Sequence, residues 1–143
     1  MKSFDRLTET VTVADRQHLY RELLAEAREA MAYAYCPQSN YPVGAAVMTD
    51  DGSVYTGCNI ENANLACGTC AERTAYAKAI SEGKRHFKVV AVVCDKSKDC
   101  WPCGLCRQFM REFGGQTIIV VESSDGSIKS KSLAELLPRD SRK

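Results

Sequence analysis

The sequence predicts an α/β protein, a three-layer α/β/α sandwich around a five-stranded mixed sheet whose last strand is antiparallel to its neighbour. Three observations carry this. Segments of helical and strand periodicity alternate along the chain. Lys88 to Asp95 contains the unbroken run Val89-Val90-Ala91-Val92-Val93, the pattern of a central strand covered on both faces. The last two strand segments are joined only by Ser123-Ser124-Asp125-Gly126, too few residues for a crossover helix, so the final strand must fold straight back.

Taken in order, residues 1–14 are polar and threonine-rich and read as a flexible arm, with one domain over 15–143. From Asp15 to Tyr35, Leu19, Leu23, Ala27, Ala30, Met31 and Ala34 fall at helical spacing. Cys36-Pro37-Gln38-Ser39-Asn40 ends that helix. Val43 to Met48 and Ser53 to Cys58 read as short strands around Thr49-Asp50-Asp51-Gly52, and Asp-Gly is a hairpin signal. Asn59 to Thr69 is irregular and asparagine-rich, the composition of a site loop. Cys70 to Glu82 is helical, with Gly83 as its stop. Cys103 to Phe113 is a second short helix, ended by Gly114-Gly115. Thr117 to Glu122 is an apolar strand, and a polar strand lies near Ser127 to Ser130. Ser132-Leu133-Ala134-Glu135 is a capping box that opens a short last helix, and Pro138 stops it.

Composition narrows the function classes. The 143 residues are 45% hydrophobic and 26% charged, the balance of a globular protein, and suffice for one domain. A net charge of +1 gives no basic excess for nucleic acid. No stretch approaches the ~20 apolar residues of a membrane helix. The first residues lack the apolar core of an export signal, so a cytoplasmic location is expected. Eight cysteines in such a setting point to metal binding rather than a disulfide framework.

The chemistry concentrates in Cys70-Ala71-Glu72 and Pro102-Cys103-Gly104-Leu105-Cys106. Cys70, Cys103 and Cys106 supply three thiolates for one tetrahedral zinc ion and leave the fourth position for water, the mark of a catalytic site. Cys-x-Glu followed by Pro-Cys-x-x-Cys is the all-cysteine form of the zinc deaminase signature, in which the metal activates water and the glutamate shuttles protons. Glu72 takes that role. Cys70 and Cys103 each stand at a helix start, where the dipole and free N–H groups favour thiolate. Three thiolates leave the metal a weak Lewis acid, and Arg73, three residues after Cys70, is placed to drain charge from sulfur. A closed four-cysteine site is the competing reading, from Cys67-x-x-Cys70 with Cys103-x-x-Cys106 or from Cys100-x-x-Cys103. Cys36, Cys58 and Cys94 read as buried free thiols. His18 and His86 are isolated in sequence and read as surface residues.

These motifs resemble those of the small, free-nucleoside cytidine deaminases. The matching stretches are Tyr41-Pro42-Val43-Gly44-Ala45-Ala46, Gly57-Cys58-Asn59-Ile60-Glu61-Asn62-Ala63, Cys70-Ala71-Glu72-Arg73-Thr74-Ala75, Pro102-Cys103-Gly104-Leu105-Cys106-Arg107-Gln108 and Glu135-Leu136-Leu137-Pro138. The resemblance implies a zinc deaminase domain, one zinc per chain and a homotetramer. It implies hydrolysis of cytidine and deoxycytidine to uridine and deoxyuridine in pyrimidine salvage. It also implies that Asn59 and Glu61 bind the ribose hydroxyls and that the Ala71 N–H holds the base carbonyl. Tyr41 would lie beside the base, and the Trp101 carbonyl would face the departing amine. The chain departs from the family pattern in having Leu65 where an aromatic is usual, Trp101 where serine is common, and no aromatic after Pro138. The related blasticidin-S-type deaminases share the zinc motifs, so another aminopyrimidine nucleoside is the alternative substrate.

Overall fold

A computed structural model describes residues 12–95 and 99–141. Helix α1 spans Val13–Met31 and buries the expected Leu19, Leu23 and Ala27 together with Tyr20 and Leu24, whereas Ala30, Met31 and Ala34 are only half-buried. It starts two residues earlier than expected because Thr12 caps it, its Oγ1 accepting from the Asp15 N–H at 3.1 Å. The rest of the expected arm lies outside the described residues. The helix ends at Met31 rather than Tyr35, because the chain there leaves to meet the site loop. The Tyr35 N–H donates to the Asn59 carbonyl and the Glu61 N–H to the Tyr35 carbonyl.

The sheet comprises β1 (Val43–Thr49), β2 (Val54–Cys58), β3 (Phe87–Cys94), β4 (Ile118–Glu122) and β5 (Ile128–Ser132), in the order β2-β1-β3-β4-β5. Only β3 and β4 are parallel; β4 and β5 are antiparallel, as the four-residue turn required. Gly126 serves that turn with φ +83°, and the Asp125 Oδ1 accepts from the Ser127 N–H.

Alternation along the strands divides the core in two. Ala46, Met48, Val89, Ala91, Val93 and Val120 face α1. Ala45, Val47, Val90, Val92, Ile119 and Val121 face α2 (Ala71–Ser81) and α3 (Gly104–Arg111). The three layers follow from these two faces. Each buried Leu or Val contributes about 1.5–3 kcal/mol by leaving water. An aromatic cluster further fastens α2 and α3 to the sheet: Tyr76 lies 4.1 Å from Phe87 between ring centroids, and Phe113 packs on both. Helix α4 (Leu133–Leu136) opens on the expected capping box of Ser132 and Glu135.

Gly57 on β2 is required by the seating of α2. A Cβ there would lie 2.5 Å from the Ala71 carbonyl and 2.5 Å from the Ala75 nitrogen. This close approach puts the first turn of α2, with Glu72 in it, against the sheet.

Candidate active site

Cys70 is the N-cap of α2 and Cys103 the N-cap of α3, both in extended backbone and neither using its side chain to cap. The two helix N-termini therefore bring their cap sulfurs together. Cys106, one turn into α3, is fully buried beneath it. The three sulfurs lie within 4.8 Å of one another. Two sulfurs on one tetrahedral zinc, each at about 2.3 Å, are about 3.8 Å apart; the Cys70 and Cys103 sulfurs are 3.8 Å apart. The donor set therefore fits a zinc ion. Cys67 is exposed and lies outside this cluster, so Cys67-x-x-Cys70 does not contribute a fourth sulfur.

Electrostatics favour the same chemistry. The Cys106 thiol hydrogen-bonds Cys70, and Arg73 Nη2 donates to the same sulfur at 3.7 Å, which together bring Cys70 down to about 5. Cys106 is pushed upward, first by its bond to Cys70 and then by burial. The Arg73 guanidinium is held charged by its contact with Cys70. Glu72 is only 4% exposed, and burial raises its carboxyl above the ordinary carboxylate range.

A cavity of about 480 Å³ opens over this cluster. It brings together every residue the sequence nominated except the buried Cys106: Tyr41, Asn59, Glu61, Cys70, Ala71, Glu72, Arg73, Trp101 and Cys103. Asn59 is oriented by backbone on both sides, its Oδ1 accepting from the Val43 N–H and its Nδ2 donating to the Tyr41 carbonyl, each at 2.9 Å. One N–H of that amide remains for a ligand. Glu61 Oε1 accepts from the Gln38 and Ser39 N–H groups, and contacts from Ser39 hold its carboxyl below the usual range. The Ala71 N–H belongs to the first turn of α2, where helix geometry leaves donors without internal partners.

The sequence and the fold both match known proteins. Residues 17–122 match the family model "Cytidine and deoxycytidylate deaminase zinc-binding region". The chain belongs to this zinc deaminase family. A cytidine deaminase of Sporosarcina psychrophila is 46% identical over 118 residues, covering 82% of this chain and 87% of the relative. The crystal structure of a cytidine deaminase from Burkholderia pseudomallei superposes with a TM-score of 0.79 at 41% identity, covering 84% of this chain and 97% of that one. The blasticidin-S deaminase of Bacillus cereus is more distant, 26% identical over 125 residues. The chain is thus a deaminase of the zinc-dependent cytidine deaminase family. Among the described residues no helix is long and apolar enough to cross a membrane.

Two features were not foreseen. Cys94 is joined to Cys100 in a disulfide, which corrects its reading as a free thiol and removes Cys100 as a zinc-pairing candidate. Cys36 and Cys58 are free as expected but only half-buried. Asp99 also lines the cavity, beside Cys100 and Trp101. Cys94 and Cys100 are six residues apart, and no periodicity in the sequence signals their pairing.

Proposed function

We propose that the protein hydrolyses cytidine and deoxycytidine to uridine and deoxyuridine, releasing ammonia. The observation that carries this is one cavity that opens over a three-thiol cluster and is lined by a buried carboxyl and two backbone-oriented polar side chains. Cys70, Cys103 and Cys106 hold the zinc ion, which supplies Lewis-acid activation of a water molecule. Glu72 removes a proton from the attacking water and delivers it to the ring nitrogen beside the amine-bearing carbon; it then takes the remaining proton from the added hydroxyl and passes it to the amine, which leaves as ammonia while the ring carbonyl forms. Burial raises its pKa, which favours a carboxyl that can hold the proton between the two transfers. Asn59 and Glu61 bind the ribose hydroxyls through the capacity their backbone bonds leave unused. The Ala71 N–H holds the base carbonyl, Tyr41 lies along the base, and the Trp101 carbonyl faces the departing amine. Arg73 offsets the net charge of three thiolates.

The same reading takes residues 15–143 as one catalytic domain. It carries a homotetramer and cytoplasmic pyrimidine salvage as its setting. Exposed Tyr33 and Leu65, 84% and 86% accessible, support burial against other copies, and light scattering checks it. Leu65 at the cavity rim favours one second reading, another aminopyrimidine nucleoside such as blasticidin S.

The test is loss of cytidine absorbance, with zinc quantified on the same sample and Glu72→Ala alongside. Turnover at one zinc per chain, lowered about 10³-fold by the substitution with zinc retained, is expected. Retained turnover in Glu72→Ala removes the mechanism. Bound zinc with no turnover of cytidine moves the assignment to the other nucleosides.

A further inference from the structure

The final strand is the most polar element of the sheet, and its charges are directed at the cavity wall. Lys129 and Lys131 lie opposite Val121 and Ile119 in the β4–β5 register, so both stand on the α2/α3 face. Lysines on an edge strand deter pairing with another chain. Here both also have partners in one short segment. Lys129 Nζ donates to Asp99 Oδ2 at 2.8 Å, and Lys131 Nζ lies 6.0 Å from the centre of the Trp101 ring. Ser123, at the end of β4, donates its hydroxyl to the other oxygen of Asp99 at 2.7 Å. Asp99, Cys100 and Trp101 all line the cavity. The far end of the segment is held separately, because Arg107 Nε donates to the Pro102 carbonyl at 2.7 Å.

The geometry points to Asp99 as a positioning residue: clipped by Lys129 and Ser123, it holds Trp101 as a wall of the substrate cavity, against which the nucleoside packs. This deepens the proposed function and rests on it. Tyr41 and Trp101 are the aromatic residues lining the cavity. Trp101 is half-buried and packed against the core, with Lys131 Nζ near its ring. An indole so held offers a flat apolar surface at low entropic cost. Both contacts to Asp99 favour its ionised form, Lys129 more than Ser123, so the clip persists at neutral pH. The Cys94–Cys100 disulfide tethers the same segment, which makes the carboxylate most important when that bond is reduced.

The wall packs on bound substrate before and during reaction alike, so weakening it raises KM and leaves kcat nearly unchanged. Trp101 is the single tryptophan of the chain, so intrinsic fluorescence reports this wall alone. The experiment compares wild type, Asp99→Ala, Lys129→Ala and Lys129→Arg in a phosphine reductant. The readouts are cytidine kinetics, acrylamide quenching of Trp101 and zinc per chain. Asp99→Ala is expected to raise KM about fivefold, keep kcat within about twofold and raise the quenching constant about twofold, with zinc unchanged. Lys129→Ala should move both in the same direction by less, and Lys129→Arg should restore them. Unchanged quenching and KM in both alanine variants overturns the clip. Increased quenching at constant KM shows that substrate does not use the wall, and loss of kcat together with zinc shows a scaffold role; either overturns the proposal. Absence of cytidine turnover by wild type sinks the proposed substrate instead, and quenching then still decides whether Asp99 holds Trp101.

Discussion

The two faces of the central sheet are built from the same residue types but carry different duties. On one, α1 lays Leu19, Leu23, Leu24 and Ala27 over Ala46, Met48, Ala91 and Val120, and among the described residues Tyr20 is the one titratable side chain buried in that layer. On the other, α2 and α3 present their N-termini, three thiols and a buried carboxyl next to an equally apolar core of Val90, Val92, Ile119 and Val121. The first face can bury its helix lengthwise because α1 is nineteen residues long and amphipathic. The second divides its covering between helices of eleven and eight residues, and their ends rather than their sides define the cavity. Apolar burial anchors both layers. Only the second places helix N-termini and buried acid–base groups where a ligand can reach them.

This contrast can be broken by substitution. Cys106→Ala should have the largest effect, removing zinc and turnover together, as metal analysis and an activity assay on one preparation would show. A folded variant that keeps both would mean Cys106 is core packing like its neighbours. Leu23→Ala on the opposite face should cost about 2–5 kcal/mol in denaturant unfolding. Its kcat and zinc content should stay at wild-type levels under native conditions; a matching loss of zinc would show the two faces to be coupled. Glu61→Gln should act more gently, raising KM for cytidine about tenfold by removing a charged acceptor at the cavity rim. The carboxyl of Glu61 is depressed by Ser39, so it is ionised throughout neutral pH. In the wild type its contribution to binding is therefore complete above the ordinary carboxylate range and is lost only as pH falls through the lowered value. A pH–KM profile that Glu61→Gln flattens on the acid side checks this.

The cysteines show where sequence reading succeeded and where it stopped. Cys70, Cys103 and Cys106 were legible because spacing, the neighbouring Glu72 and two predicted helix starts agreed. The structure then brought the Cys70 and Cys103 sulfurs to within 3.8 Å of each other. Cys94 and Cys100 were not legible, because no periodic signal in the sequence marks their pairing. The boundaries of α1 moved for a similar reason: Thr12 capped one end, and hydrogen bonds between Tyr35 and the Asn59–Glu61 segment drew the other out of the helix.

Local patterns in the chain were sufficient for the layers, the antiparallel final strand and the thiol–carboxyl chemistry. Each of these depends on near neighbours: alternation along a strand, a turn too short for a helix, ligands one helical turn apart. Contacts distant in sequence were sufficient only once the chain had folded. The approach of α2 over Gly57, the orientation of Asn59 between Val43 and Tyr41, and the clip of Lys129 on Asp99 join segments whose meeting is set by three-dimensional packing. Such meetings leave no spacing to read, because the sheet order rather than the order of the chain decides which residues become neighbours.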